Sequence, residues 1–326
     1  RYGVERTMGL EELAGFLKGL DGALVRRGLS PMVDGIVPEQ KEKDAALASA
    51  IAELRLYKDA SEVASIKNAI RATKSALEDA LRAMKHAHNE RELEAAFDYR
   101  ARLDGNGVRF ASIIASGAHA CILHWTRNDG KIERNKLLMM DVGVESDDLY
   151  AADITRTFPA NGKYSREQRE LYDLVTAAQD AAFKAIKPGA DFTAPHDAAT
   201  KVLVEGFERL GILKEPAAEA LKPDRQTYKR YTLHNVSHLL GIDVHDSAAA
   251  RPEKYRKGKL EPGMVLTVEP GLYFQLDDET VPARYRGIGI RVEEDVLVTK
   301  TGCQVLSKGI PRKSHEIEAW IADLWK

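Results

Sequence analysis

The chain has 326 residues, of which 44% are hydrophobic and 30% charged, a balance typical of a globular protein. A net charge of −2 leaves no basic excess to neutralise phosphates, which argues against a nucleic-acid-binding or membrane-surface protein. We find no apolar run long enough to span a bilayer and no signal peptide. Two cysteines are too few for a disulfide framework or a thiolate metal site, so we expect a cytoplasmic protein.

Helical patterns fill the chain up to Gly105. Gly28 and Pro38 lie between the first two helices, and Asp59 with Glu62 forms a capping box that starts the third. The predicted helices span residues 10–27, 41–54, 60–86 and 90–103. Because the first part lacks any convincing strand pattern, we divide the chain into an N-terminal segment of residues 1–57 and a main domain of residues 58–326.

After Gly105 the period becomes that of strands. The predicted strands span residues 110–116, 137–142, 150–158, 232–234, 264–269 and 288–299. Ser165 with Gln168 starts a helix that ends before Pro188, another helix covers residues 194–210, and Ser314 begins the last one. This order predicts an α+β domain with a curved, mainly antiparallel sheet and helices outside it.

Four carboxylates stand where a buried strand should be apolar. Asp141 and Glu269 each end an apolar run, and Asp153 and Glu293 lie within strand patterns. Taken singly, three of them have an ordinary explanation, namely a turn for Asp141, an exposed polar face for Asp153 and a salt bridge with Arg291 for Glu293. Burial of a carboxylate is costly unless it binds a cation or hydrogen-bond donors.

Three of the nine histidines fall within twelve positions, His234, His238 and His245. A single histidine is more often structural than functional. Imidazole is, however, the commonest metal ligand and carries protons near neutral pH, and this group is flanked by apolar residues. The concentration favours a functional role.

Together these patterns predict a sulfur-free metal site. The candidate ligands are Asp141, Asp153, His238, Glu269 and Glu293. Repulsion among four buried carboxylates raises their pKa values, and two divalent cations would remove it. Oxygen-rich sites suit Mn²⁺ and tolerate Co²⁺ or Zn²⁺. Two metals about 3.5–4 Å apart hold a shared water and make it a nucleophile at neutral pH, while nearby carboxylates and imidazoles transfer protons.

Several stretches resemble the pita-bread metallopeptidases, specifically the Xaa-Pro branch that contains aminopeptidase P and prolidase. These stretches are YAADITRTFPANGKYS, HNVSHLLGIDVHD, LEPGMVLTVEPGLYF and RYRGIGIRVEEDVLV. The resemblance runs from about Leu54 to the C-terminus. It implies a pita-bread fold with two related halves around a metal pair, preceded here by a short remnant of an N-terminal domain, and it implies a homodimer.

The resemblance also implies a role for each candidate ligand. Asp141 would chelate one metal, Asp153 and Glu293 would bridge both, and His238 with Glu269 would complete the other. Glu269 would in addition handle the proton of the nucleophile.

Five further residues match active-site positions of the branch. His124 and His245 would line the substrate site, and His234 would hydrogen-bond near the scissile carbonyl. Tyr273 and Arg291 match other catalytic positions. The sequence therefore predicts a dinuclear metallopeptidase that removes the N-terminal residue from peptides with proline in second position. A prolidase restricted to dipeptides is the alternative, and a non-peptidase of the same fold is disfavoured because such relatives lack the ligand set.

Overall fold

The computed structural model describes residues 7–326 of the chain. All seven predicted helix starts are confirmed, two of them with the capping side chains that the sequence indicates. The carboxylate of Asp59 accepts hydrogen bonds from the backbone N–H groups of Ser61 and Glu62, and Ser165 caps its helix in the same way. The α-helices of the described residues are α1 (Leu10–Lys18), α2 (Pro31–Ile36), α3 (Lys41–Leu54), α4 (Ala60–Met84), α5 (Glu90–Asp104), α6 (Arg166–Ala185), α7 (Ala194–Arg209), α8 (Ala217–Ala220) and α9 (Ser314–Leu324).

The strands form four small sheets in residues 7–326. They are β1 (Gly107–Val108), β2 (Ile113–Ser116), β3 (Leu137–Val142), β4 (Val144–Glu145), β5 (Ile154–Pro159), β6 (Val265–Val268), β7 (Gly271–Phe274), β8 (Ile288–Arg291), β9 (Glu294–Val298) and β10 (Cys303–Val305). Two sheets have three strands, in the orders β2-β3-β5 and β10-β9-β6, and β1-β4 and β7-β8 form pairs. All of these pairings are antiparallel, as the sequence predicts.

Helices cover the sheets from outside. Helices α4 and α5 pack on one another and contact β4 and β2, whereas α6 packs on α7 and contacts β6 and β8. The apolar face of α4 is fully buried at Ile66, Leu77 and Leu81, and burial of each such side chain stabilises the fold by about 1.5–3 kcal/mol. No helix within residues 7–326 is both long and apolar enough to cross a membrane.

The N-terminal helices differ from the prediction. The helix predicted for residues 10–27 ends at Lys18 with Gly19 as its C-cap, and Gly22 lies in the turn that follows with a φ of +66°. A short helix, α2, then begins at Pro31, with the side chain of Ser30 as its cap. The division at residue 57 stays a prediction, and residues 1–6 of that segment lie outside the described residues.

Two strand predictions are wrong in ways that matter for the site. Residues 232–234 form no strand, and pairing with β6 begins instead at Val236, whose carbonyl accepts from the N–H of Glu269 at 2.8 Å. The strand predicted for residues 288–299 is two strands, β8 and β9, interrupted at Val292 and Glu293. The break releases Glu293 from regular pairing.

A fully buried ion pair fixes β5 against β9. Arg156 and Glu294 are both 0% exposed, and Arg156 Nη2 lies 2.5 Å from Glu294 Oε1. The guanidinium also donates to the backbone carbonyls of Thr155, Glu293, Ile310 and Pro311.

We predict that Arg156→Met lowers the free energy of unfolding by about 3–5 kcal/mol, since it leaves the carboxylate of Glu294 buried without its cation. Arg82→Met is the control, because Arg82 pairs with Asp79 with half of its side chain exposed, and loss of such a pair costs about 0–1 kcal/mol. Urea denaturation measures both. Equal losses in the two variants would show that the buried pair is not a special constraint.

Candidate metal centre

Four carboxylates meet at the ends of strands from both three-stranded sheets. Asp141 lies near the end of β3 and Asp153 directly before β5 in one sheet. Glu269 directly follows β6, and Glu293 lies in the gap before β9, in the other. All four line one cavity of about 680 Å³. Each sheet therefore supplies two carboxylates.

His238 reaches the same cavity from an extended segment beside β6. Its backbone exchanges hydrogen bonds with Thr267, from Thr267 N–H to the His238 carbonyl at 2.9 Å and from His238 N–H to Thr267 Oγ1 at 3.1 Å. This pairing brings His238 Nε2 to 3.3 Å from Asp153 Oδ2 and 3.6 Å from Glu269 Oε1.

The arrangement fits a divalent-metal site. One ligand atom each from Asp153, His238 and Glu293 lie within 4.8 Å of one another. Asp141 and Glu269 line the same cavity next to this group. Asp141 Oδ2 bonds to Arg291 at 2.6 Å, but its Oδ1 is buried without a hydrogen-bond partner. A buried, unpartnered carboxylate oxygen beside oxygen and imidazole donors is the chemistry that binds Mn²⁺ and similar ions.

Burial dominates the electrostatics of the carboxylates. It raises the pKa of Asp153 and of Glu293 well above the usual range, and the neighbouring carboxylates raise both further. It raises the pKa of Glu269 to about 7, against the opposing charges of His238 and Arg291. Each carboxyl therefore favours its protonated form until a cation compensates the charge.

A hydrogen-bonded chain sets the state of His234. Arg291 Nη1 donates to the hydroxyl of Tyr273 at 2.7 Å, and this hydroxyl lies 2.6 Å from His234 Nε2. His234 Nδ1 lies 2.8 Å from the Asn235 carbonyl, which can only accept, so Nδ1 carries the proton and Nε2 of the neutral ring accepts from Tyr273. Burial, followed by the charge of Arg291, lowers the pKa of His234 to about 3. The imidazole is neutral at pH 7.

The predicted substrate residues occupy two layers. His124, His245 and Arg291 line the cavity with His234, and His245 packs edge-on against His238 with ring centroids 4.4 Å apart. Tyr273 is fully buried behind His234 and is not part of the cavity wall. Its contact with substrate would be made through His234.

Other residues of the wall escaped the sequence analysis. His196, on the first turn of α7, lines the cavity, and its Nδ1 is buried without a partner. Phe192 and Tyr255 also line it and form an edge-to-face pair with centroids 4.8 Å apart. No local signal marks His196 and Phe192, because α7 and its preceding loop read as an ordinary amphipathic helix and turn, and Tyr255 lies in a separate loop after residue 250.

The family model of metallopeptidase family M24 matches residues 64–300. The chain belongs to this family. It is 45% identical to Xaa-Pro aminopeptidase 1 of Streptomyces coelicolor over 99% of this chain and 66% of that protein, and 46% identical to Xaa-Pro aminopeptidase 2 of the same organism over 91% of this chain and 63% of that protein. The chain thus spans about two thirds of the length of these relatives.

Solved structures show the same fold. Zinc-substituted aminopeptidase P of Escherichia coli, in complex with product, matches with a TM-score of 0.89 at 34% identity, over 99% of this chain and 77% of that chain. The aminopeptidase PepP of Pseudomonas aeruginosa matches with a TM-score of 0.82 at 36% identity, over 96% of this chain and 74% of that chain. The predicted pita-bread fold is confirmed.

We predict that the metal-free Glu269→Gln variant is more stable than the parent at pH 8. The pKa of Glu269 is raised from 4.5 to about 7, so its contribution to stability is present below pH 4.5 and is lost as the pH rises through 7. The variant lacks this loss, and the difference reaches on the order of 3 kcal/mol at pH 8.

Urea denaturation in EDTA at several pH values measures the difference, with the exposed Glu279→Gln as control. Equal stability of parent and Glu269→Gln at pH 8 would mean that Glu269 ionises there without cost.

Proposed function

We propose that this chain carries the active site of an Xaa-Pro aminopeptidase, which removes the N-terminal residue from peptides with proline in second position. The convergence of four carboxylates and His238 on one cavity is the observation that carries the proposal. Sequence similarity supports the proposal, since this chain is 45% and 35% identical to two relatives named Xaa-Pro aminopeptidase. Because the chain spans only about two thirds of the length of the first of these relatives, its activity is stated as a proposal.

The candidate ligands would hold two divalent cations. They are Asp141, Asp153, His238, Glu269 and Glu293. When bound, such ions act as Lewis acids toward the scissile carbonyl and lower the pKa of water. Mn²⁺ is the ion that we propose, because the donor set is rich in oxygen and free of sulfur.

The remaining chemistry falls to side chains of the cavity. Glu269 accepts the proton of the attacking water. His124 and His245 contact the substrate backbone and the leaving group, and the proton that Glu269 accepts from the water passes to the leaving nitrogen. His234 lies 3.4 Å from Glu269 Oε2, and its neutral imidazole donates near the scissile carbonyl once it leaves the carbonyl of Asn235.

An Xaa-Pro bond sets particular demands that this cavity meets. The proline nitrogen has no hydrogen to donate, and its ring fixes φ, so recognition depends on shape. The edge-to-face pair of Phe192 and Tyr255 provides a rigid apolar wall. A rigid ring bound there loses little conformational entropy.

We also propose that the protein is a cytoplasmic homodimer. The low cysteine content supports the location, and the resemblance to the Xaa-Pro branch supports the dimer.

We predict two bound metals per chain after reconstitution, with Mn²⁺ giving the highest activity. The four carboxylates need more than one divalent charge to offset their repulsion. Atomic absorption after equilibrium dialysis counts the ions, and Asp153→Asn is expected to lower the count. One tightly bound metal in the fully active protein would contradict the dinuclear site.

We predict that an Xaa-Pro-Xaa tripeptide is cleaved with a kcat/KM roughly 100-fold or more above its Xaa-Ala-Xaa analogue, because the alanine peptide cannot fill a wall shaped for the ring. An Xaa-Pro dipeptide in the same assay separates an aminopeptidase from a dipeptidase. A ratio near one for the two tripeptides would leave the metal site in place and remove the proline specificity.

A further inference from the structure

A buried glutamine connects the two strand ends that carry Glu269 and Glu293. Gln179 lies on α6 and is 0% exposed. Its Nε2 donates to the backbone carbonyls of Val268 and Val292, each at 3.0 Å. These two valines directly precede Glu269 and Glu293 in the sequence. One amide group therefore holds the backbone before two candidate ligands.

The contacts fix the peptide planes from which both glutamates start. The N–H of Glu269 donates to the Val236 carbonyl at 2.8 Å, and the N–H of Glu293 donates to the Thr155 carbonyl at 3.0 Å. Gln179 binds the carbonyl on the other side of each peptide. Because a peptide group is planar, holding both of its ends sets its orientation and hence the direction of the following side chain.

The constraint matters most at Glu293. This residue lies in the break between β8 and β9, where regular strand pairing does not define the backbone. A shared donor also ties the position of Glu293 to that of Glu269, which lies in a different part of the chain.

The amide of Gln179 is itself oriented. Arg312 Nη1 donates to Gln179 Oε1 at 3.3 Å, and Arg312 Nη2 is held by Asp180 at 2.5 Å. The cation fixes which end of the amide is oxygen, so the two N–H groups face the two carbonyls.

We propose that Gln179 is a positioning residue that sets the relative placement of Glu269 and Glu293 for metal binding, a role that rests on the proposed function. It lies outside the cavity wall and acts through the backbone. Residues that orient ligands from behind typically change metal affinity about 10–100-fold when they are replaced.

The test compares Gln179→Met with Thr176→Val. Methionine keeps the length of the side chain and removes both donors. Thr176 is a matched control, because it is buried on the same helix and its hydroxyl donates only to the Asp173 carbonyl within that helix among the described contacts. Co²⁺ affinity by equilibrium dialysis, the visible spectrum of bound Co²⁺ and urea denaturation of the metal-free protein are measured for both.

We expect Gln179→Met to bind Co²⁺ roughly 10-fold or more weakly with an altered spectrum, and Thr176→Val to match the parent in both. A purely structural glutamine would lower stability in urea and leave affinity and spectrum unchanged, and that result overturns the proposal. If Gln179→Met does not fold, Gln179→Asn, which draws the amide back by one methylene, is held to the same criteria.

The outcome separates two failures. A parent protein that binds no divalent metal would overturn the proposed function together with this role. Parent-like metal binding in the Gln179 variants would overturn the positioning role alone.

Discussion

Mutual repulsion among the carboxylates of one cavity is the constraint that the rest of the structure must satisfy. Asp141, Asp153, Glu269 and Glu293 share one cavity, and an ionised carboxylate out of water costs several kcal/mol unless it is compensated. Arg291 bonds to Asp141 and so compensates one of them. Burial raises the pKa values of Asp153, Glu269 and Glu293. Raised pKa values of this kind are expected where divalent cations, rather than a single guanidinium, balance the charge of the carboxylates.

Such a cluster needs a frame that resists its repulsion. The two sheets are joined where the ligands lie, since the N–H of Asp153 donates to Asp295 Oδ2 at 3.2 Å and Thr155 Oγ1 donates to Glu293 Oε2 at 2.6 Å. The buried pair of Arg156 and Glu294 crosses the same junction. Ligands from different sheets are thereby held relative to one another by backbone and side-chain bonds together. These contacts, which lie within a few residues of the ligands, help to offset the electrostatic cost of placing the carboxylates close together.

Local chemistry made part of this predictable from sequence. A capping box is contained in four residues, so Asp59 could be assigned to the start of α4 from sequence alone. A carboxylate that ends an apolar run, such as Glu269, likewise indicates a buried carboxylate that needs a partner. The helix predicted for residues 10–27 overran a local signal, since Gly19 caps α1 and Gly22 lies in the turn after it. The other failures are non-local. The roles of His196 and Gln179 depend on what their helices pack against in the folded chain. The spacing of apolar residues within α6 and α7 does not identify those neighbours.

Neutral imidazoles complete the electrostatic logic of the site. Histidines beside several carboxylates would ordinarily gain protons and pair with them, and each such pair would occupy charge that a metal needs. Here burial lowers the pKa of His234 to about 3 and lowers that of His245 as well, aided by the charges of Arg291 and His238 respectively. Tyr273 further favours the neutral form of His234, because its hydroxyl hydrogen-bonds to the lone pair of Nε2, the site that a second proton would occupy. His234 and His245 therefore favour their uncharged forms and do not compete with added cations for the carboxylates.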